Sequence, residues 1–305
     1  MTDPQPEFRP VPGVSETVAP GVRRILAPNP SPMTFRGTNT YLVGAGSGLA
    51  VIDPGPDDAG HLEAILDAVT PGQQVTHVLV THAHLDHSPL ARRLGLVTGA
   101  PVLAFGSADA GRSPIMARLA EQGLAGGGEG VDAAFVPDIV LADGAAIEGD
   151  GWTLTALHTP GHMANHLGFA LGETLFSGDL VMGWATSLVS PPDGDLTDFM
   201  ASLDRLQQRR WQTFFPGHGA PVTDPGKRLA ELVAHRKGRE AAILQALTAG
   251  PATARTLAEL IYTETPPSLL PAAERNVLSH LIDLVSKNLV SPEPDLRHDA
   301  TFRVD

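Results

Sequence analysis

Residues Leu79–Arg93, "LVTHAHLDHSPLARR", join a predicted apolar strand to a crowded set of ionisable side chains. The run "VTHVLVTH", which leads into it, is nearly continuous in apolar and β-branched residues and predicts a strand covered on both faces. In α/β folds, functional residues lie where such a strand ends and a loop begins. Imidazole and carboxylate are zinc ligands, so the loop predicts a metal site at His82, His84, Asp86 and His87. The alternative is that these residues form the polar N-terminus of a helix.

Three more ionisable residues stand beside glycine at the predicted ends of later strands. They are His162 in "HTPGHMANH", Asp179 in "LFSGDL" and His218 in "FFPGHG". Each could be an ordinary turn residue, but a neighbouring glycine also lets the backbone pass close to a ligand. Together with the cluster they supply five histidines and two aspartates, enough for two metal positions. Paired metals of this kind activate water and polarise an electrophile.

The rest of the chain divides into two parts. Residues 1–225 contain a predicted hairpin of Thr40–Val43 and Leu49–Ile52, several short strands and the helix "TDFMASLDRLQQR". We interpret residues 106–137, which are rich in glycine and alanine, as a mobile connection with one short helix. Residues 226–305 contain three amphipathic helices followed by "LVSPEP", a pattern typical of a small helical or winged-helix module.

Composition narrows the class of protein. The 305-residue chain has no cysteine, which excludes disulfides, thiolate nucleophiles and cysteine-ligated metals. We expect no membrane span, since no run of about 20 apolar residues occurs. The start "MTDPQPEFRPVPG" lacks the pattern of a signal peptide, so we expect a cytoplasmic protein. A net charge of −13 disfavours non-specific nucleic-acid binding, which depends on neutralising phosphates.

The seven residues, in this order and spacing, resemble the metallo-β-lactamase superfamily, and "NTYLVG" and "VIDPG" upstream strengthen the resemblance. It spans roughly residues 20–225 and implies an α/β fold, a four-layer αβ/βα sandwich. It also implies that His82, His84 and His162 bind one zinc, that Asp86, His87 and His218 bind a second, and that Asp179 bridges them. Asp53 would support the ligand loop from behind. The C-terminal helices are similar to the winged-helix appendage of the lactamase-like-protein branch, some members of which are endoribonucleases.

The chain departs from the family pattern at two places. Ser88 and Pro89 stand where the family usually has glycine after the ligand histidine, and proline is accepted in the first turn of a helix. In "PGHMANH", Met163 and Asn165 replace residues that we expect to border the substrate. All seven expected ligands are retained, so the departures bear on the substrate rather than on metal binding.

These features predict a dinuclear zinc-dependent hydrolase in which a metal-bridging hydroxide attacks an ester, thioester, lactone or phosphodiester. Iron or manganese are the alternative metals. The predicted catalytic residues are Asp86, which would orient the hydroxide, and Asp179. His166 and Asn39 are candidates for facing the substrate, although His166 could equally be a surface residue at a strand start.

Other functions stay open at this point. A small-molecule substrate fits the acidic composition best, while an endoribonuclease acting on single-stranded RNA would use the basic strip Arg236, Lys237 and Arg239. That strip could instead be a solvated helix face. A sulfur dioxygenase with one iron would use a subset of the same ligands. A non-catalytic nucleic-acid adaptor and a homodimer held by the C-terminal helices are further alternatives.

Overall fold

A computed structural model describes residues 3–124 and 130–305. Its first sheet contains seven strands in the order of the chain, antiparallel up to the fourth strand and parallel from there on. The strands are β1 Ser15–Ala19, β2 Val22–Leu26, β3 Asn39–Val43, β4 Gly48–Ile52, β5 Gln74–Leu79, β6 Val102–Ala104 and β7 Ile139–Val140. The predicted hairpin is β3 and β4, and the predicted apolar strand before the histidines is β5.

The second sheet contains five strands, of which β11 and β12 pair in parallel and all other neighbours pair antiparallel. Its order is β12-β11-β10-β9-β8. The strands are β8 Ala146–Gly149, β9 Trp152–His158, β10 Leu167–Leu171, β11 Thr174–Gly178 and β12 Thr213–Pro216.

The two sheets pack face to face, and helices cover both outer faces. Alternate residues of a strand point to opposite faces, so Leu49 and Val51 of β4 pack under the helices, whereas Ala50 and Ile52 pack between the sheets. Helices α1 (Ala59–Asp67) and α2 (Pro89–Thr98) cover the first sheet. Helices α4 (Leu196–Gln207) and α5 (Pro225–Leu247) cover the second. The predicted four-layer αβ/βα sandwich is confirmed.

Aspartates fix where several of these helices begin. An aspartate at the N-cap accepts a hydrogen bond from a free backbone N–H of the first turn. Asp58 accepts from the N–H of His61 at 2.7 Å, and Asp195 accepts from that of Thr197 at 2.9 Å. Proline begins α2 and α5, where its missing N–H costs nothing. The ligand loop therefore tolerates Pro89, as the sequence predicted.

The C-terminal part is a winged-helix domain. After α5 come β13 Ala252–Thr253, α6 Ala254–Ile261, a single 3₁₀ turn Pro267–Leu269, α7 Leu270–Ser286, β14 Val290–Glu293 and β15 Thr301–Val304. The three short strands form a sheet in the order β13-β15-β14, and its core includes Leu257, Val277, Leu281 and Phe302. Within the described residues, no helix has the length and apolar character that a membrane crossing requires.

One helix from the first part of the chain joins this C-terminal core. The short helix predicted within residues 106–137 is α3, Pro114–Glu121, and its Met116 and Leu119 pack in the same cluster as Leu257. The helix α3 therefore fixes part of this segment to the C-terminal core, whereas the sequence predicted a mobile connection. Residues 125–129, part of its glycine-rich run, lie outside the described residues. The division at residues 225 and 226 stays a prediction.

Candidate metal centre

The seven predicted ligand residues lie together at one edge of the sandwich. They follow the ends of four strands: the cluster after β5, His162 after β9, Asp179 after β11 and His218 after β12. Their ligand atoms form two groups, and within each group all of these atoms lie within 4.8 Å of one another. The first group contains His82, His84 and His162, and the second contains Asp86, His87, Asp179 and His218.

The first group consists of three buried imidazoles whose nitrogens converge. His84 Nδ1 lies 3.0 Å from His82 Nε2 and 3.1 Å from His162 Nε2. Two nitrogens bound tetrahedrally at about 2.0–2.1 Å would stand roughly 3.3 Å apart, so this spacing is close to that of a zinc site. Burial, together with the neighbouring imidazoles, lowers the pKa of His84 to about 3. The ring is therefore neutral at pH 7 and can offer a lone pair to a cation.

The second group combines two imidazoles with two carboxylates. His218 Nε2 lies 3.1 Å from Asp86 Oδ2 and 3.2 Å from Asp179 Oδ2, and His87 Nε2 lies 3.2 Å from His218 Nε2. Burial alone would lower the pKa of His218, but Asp179 and Asp86 outweigh it and raise that pKa to about 10. A divalent cation could take the place of the protons that balance these carboxylates.

Asp179 lies between the two groups. Its Oδ2 is 3.2 Å from His218 Nε2 in the second group and 3.8 Å from His162 Nε2 in the first. Burial would raise the pKa of Asp179, but His218 and His87 hold it well below its usual value, so the carboxylate is charged. The Oδ1 atoms of Asp179 and Asp86 are buried and have no hydrogen-bond partner among the described residues. Charged oxygens in this situation are suited to a cation.

A second layer of hydrogen bonds fixes the rings. Asp53 Oδ2 lies 2.9 Å from His87 Nδ1, the position that the family resemblance implied. The backbone supports two other rings, since Leu188 O lies 2.7 Å from His162 Nδ1 and Gly37 O lies 3.1 Å from His218 Nδ1. A carbonyl can only accept, so both rings carry their proton on Nδ1 and leave Nε2 free for a metal. These two contacts were not predicted.

Two predictions about substrate contact were wrong. Asn39 and His166 are both buried and are held by other parts of the protein. Asn39 Nδ2 donates to Pro216 O at 3.0 Å and to Gly219 O at 2.9 Å, so it supports the turn that carries His218. His166 Nε2 accepts from the backbone N–H of Asp179 at 3.2 Å. Both residues therefore position candidate ligand residues, and His166 is not a surface residue.

Met163 and Asn165 also do not border the substrate side. The Met163 side chain is fully buried in the core beneath the first sheet. Asn165 is buried as well, and its Nδ2 donates to Ser107 O at 3.1 Å. Neither residue lines the cavity at the metal centre. The departures in "PGHMANH" therefore affect packing behind the ligand loop.

A cavity of about 660 Å³ opens on the two groups. Within the described part of the chain, no lysine or arginine lines it, and the only charged carboxylates are those of the site itself. The apolar lining contributed by the sandwich includes Met33, Phe35, Met182, Trp184 and Leu188. The winged-helix domain contributes Tyr262, Leu269, Ala272 and Ala273, with the polar side chains of Thr265 and Asn276.

The predicted basic strip on α5 does not form. Arg236 is only 2% exposed, because its guanidinium is covered by the ring of Phe199 at 5.0 Å and donates to Asn276 Oδ1 at 3.1 Å. The Arg239 guanidinium lies 4.2 Å from the centre of the Tyr262 ring. Of the three residues only Lys237 is exposed. A single lysine is not a phosphate-binding surface.

Comparisons with known proteins agree with this architecture. Residues 33–218 match the family described as Metallo-beta-lactamase superfamily, and residues 253–298 match the Beta-lactamase associated winged helix domain. The chain is 33% identical over 285 residues to a Drosophila melanogaster protein named Beta-lactamase-like protein 2 homolog, covering 90% of each chain. It is 35% identical to a Claviceps purpurea protein named Atrochrysone carboxyl ACP thioesterase, over 81% of this chain and 70% of that one.

A solved structure has the same two-part arrangement. A beta-lactamase domain protein from Burkholderia ambifaria superposes with a TM-score of 0.81, over 99% of this chain and 96% of that chain, at 24% identity. At this identity the likeness shows the fold alone, including the winged-helix part.

Proposed function

The chain belongs to the metallo-β-lactamase superfamily and is a metal-dependent hydrolase, and on that premise we propose that it hydrolyses acyl thioesters, or closely related esters and lactones, with an apolar acyl group. The observation that carries the proposal is the largely apolar cavity that opens directly on the candidate metal centre. Ligand pockets of this kind are mostly apolar, with a few polar groups that fix the orientation of the bound molecule.

The donor set fits two divalent metal ions, for which we propose zinc. His82, His84 and His162 would hold one ion, Asp86, His87 and His218 the other, and Asp179 would contact both. The fit rests on neutral imidazoles in the first group and on the unpartnered Oδ1 atoms of Asp86 and Asp179. Ions bound there polarise a carbonyl and make water a better nucleophile.

Asp86 is the residue that we assign to the attacking water. Its carboxylate lines the cavity that opens on the metal centre, where it can accept a hydrogen bond from a water. Burial would raise its pKa, but His87 and His218 hold that pKa far below the usual value. A carboxylate of such low basicity orients a water well and takes its proton poorly. We therefore propose that Asp86 orients the nucleophile.

A thioester fits the cavity better than RNA does. An RNA-binding site neutralises phosphates with lysine and arginine, and the described cavity lining contains neither. The net charge of −13 and the burial of Arg236 point the same way. Relatives named as thioesterases, from Claviceps purpurea and from a Cryptosporiopsis strain, support the thioester class. A homodimer and a cytoplasmic location stay predictions.

The test combines metal analysis with a substrate panel. N-acetylcysteamine thioesters of acetate, octanoate and benzoate are compared with a lactone, a phosphodiester and a single-stranded RNA. Thiol release is followed with a thiol reagent, and because the chain has no cysteine the protein itself gives no background. We expect zinc in the purified protein and faster turnover of the octanoyl and benzoyl thioesters. Cleavage of RNA with all thioesters intact would reject the proposal, and one iron per chain with oxygen consumption on a persulfide would favour the dioxygenase.

A further inference from the structure

We infer that the winged-helix domain forms the substrate-selecting wall of the active site, with Ala272 on α7 limiting the size of the apolar group that enters. The identification of that group as an acyl chain rests on the proposed function, whereas the assignment of the wall rests on the residues that line the cavity. Six residues of this domain line the cavity: Tyr262, Thr265, Leu269, Ala272, Ala273 and Asn276.

The helix that a winged-helix protein would present to nucleic acid is engaged elsewhere here. In a helix-turn-helix unit the second helix enters the major groove, and α7 is that helix. Its Arg275 donates to Ser190 Oγ at 3.1 Å and to Pro191 O at 2.9 Å, both on the sandwich. Its Asp283 accepts from Thr197 Oγ1 at 2.7 Å. The contacts at both ends of α7 therefore dock the helix on the sandwich, beside the metal centre.

Asn276 ties the wall to the loop that supports a ligand. Its Oδ1 accepts from the backbone N–H of Val189 at 3.3 Å and from Arg236 Nη1 at 3.1 Å. Leu188, next to Val189, provides the carbonyl that fixes His162. The buried Arg236 also donates to Ser187 O. The wall and the ligand loop thus share one hydrogen-bond network, which favours a preformed pocket over one assembled on binding.

The wall combines two large side chains with two small ones. Leu269 and Tyr262 contribute large side chains to the lining, while Ala272 and Ala273 contribute one methyl group each. The lining contributed by the sandwich includes two large aromatic rings, with Phe35 stacked on Trp184 at a centroid distance of 4.9 Å. Ala272 is half-buried, whereas Ala273 packs in the domain core. A larger residue at position 272 would therefore fill the cavity without disturbing that core.

The test is Ala272→Phe in the full-length metal-loaded protein, with Ala241→Phe as control. Ala241 is exposed on α5 and lies outside this cavity. We expect Ala272→Phe to lower kcat/KM for the benzoyl thioester by at least about tenfold while leaving the acetyl thioester within about twofold, the scale on which pocket size discriminates. Ala241→Phe should match the wild type on both. Ala272→Leu, with a smaller side chain, gives an intermediate loss and covers the case in which Ala272→Phe does not fold.

A second measurement separates this inference from the proposed function. Prodan, a neutral naphthalene fluorophore, is titrated into each protein, and we expect Ala272→Phe to weaken binding by about fivefold or more and Ala241→Phe to leave it unchanged. If prodan follows this pattern but no thioester is hydrolysed, the proposed function fails and the wall stands. If both variants behave as the wild type towards prodan and the benzoyl thioester, the wall is refuted. Equal loss of acetyl and benzoyl turnover with unchanged prodan binding also refutes it.

Discussion

The Asp53 carboxylate and the His87 imidazole form a buried contact, with Oδ2 lying 2.9 Å from Nδ1. Both side chains are almost completely excluded from solvent. The same carboxylate accepts from Thr81 N and from Thr81 Oγ1, each at 2.7 Å. Asp53 therefore receives three hydrogen bonds and keeps the His87 proton on Nδ1. Its backbone has φ +49, a left-handed conformation that aspartate and asparagine tolerate better than most residues.

Asp53→Asn should weaken metal binding while keeping the fold. Asparagine tolerates the same backbone conformation. Its side chain, however, has only one acceptor oxygen for the three donors Thr81 N, Thr81 Oγ1 and His87 Nδ1. The proton of His87 is therefore no longer fixed on Nδ1. Loss of a partner behind a ligand histidine typically costs about 10–100-fold in metal affinity or activity. Zinc per chain after dialysis and kcat on the preferred thioester measure the effect. Asp57→Asn, at an exposed aspartate paired with Arg93, is the control. Unchanged zinc content in Asp53→Asn would contradict the assignment.

Asp179→Asn should separate the two metal positions. An amide cannot supply the negative charge that the carboxylate places between His162 and His218. We expect zinc to fall from about two ions per chain to about one and turnover to drop on the order of 10³-fold. Far-UV circular dichroism should stay unchanged, and His84→Ala should behave alike. Full activity in Asp179→Asn, or in protein stripped of metal, would overturn the metal mechanism.

Gly217→Ala tests how closely the backbone approaches the ligands. A Cβ at Gly217 would lie 2.4 Å from Asp179 Oδ1 and 2.7 Å from His87 Cε1, both below any normal contact. Both ligands would have to move, so we expect lower zinc content and lower activity. Gly238→Ala is the control, since nothing lies within 4 Å of its Cβ position in α5. In a helix interior that change should stabilise by about 0.5–1 kcal/mol. Thermal unfolding and zinc analysis of both variants give the comparison.

The candidate ligand residues could be located from the sequence because their signals are local. The apolar run of β5 leads directly into His82, and glycine marks the turns at His162, Asp179 and His218. The chain order of these blocks then identifies the family and hence the sandwich. The partners behind the ligands were not predictable in the same way. Asn39 contacts Pro216, 177 positions away, and no short window of sequence contains that pair.

Arg236 shows a second limit of sequence patterns. A positive residue on an amphipathic helix suggests an exposed face, but the pattern does not say which neighbouring element covers that face. Here Asn276 of α7 and Phe199 of α4 cover it. For the same reason the sequence did not reveal the packing partner of α3, whose apolar residues belong to a core more than 120 positions further along the chain. The sheet and helix patterns specify elements, whereas long-range packing specifies which surface each residue faces.

A buried histidine in the winged-helix domain should make stability depend on pH. His280 is 1% exposed, and neither ring nitrogen has a hydrogen-bond partner among the described residues. Burial, with the nearby positive charge of Arg236, lowers its pKa to about 3. In the unfolded chain the pKa of histidine is about 6.5. Below pH 6.5 the unfolded state therefore binds more protons than the folded state, and the free energy of unfolding decreases as the pH falls towards 3.

His280→Leu removes this titration and fills the site with an apolar side chain. Between pH 7 and pH 5 we expect the free energy of unfolding of the wild type to fall by about 2 kcal/mol more than that of His280→Leu. Denaturant unfolding of both proteins at pH 7 and pH 5 gives the difference, in which the pH effects of the metal ligands cancel because they are common to both. His298→Gln, at an exposed position, should retain the wild-type dependence. If the stability difference between wild type and His280→Leu is the same at both pH values, the pKa of His280 is not lowered by folding and the prediction is wrong.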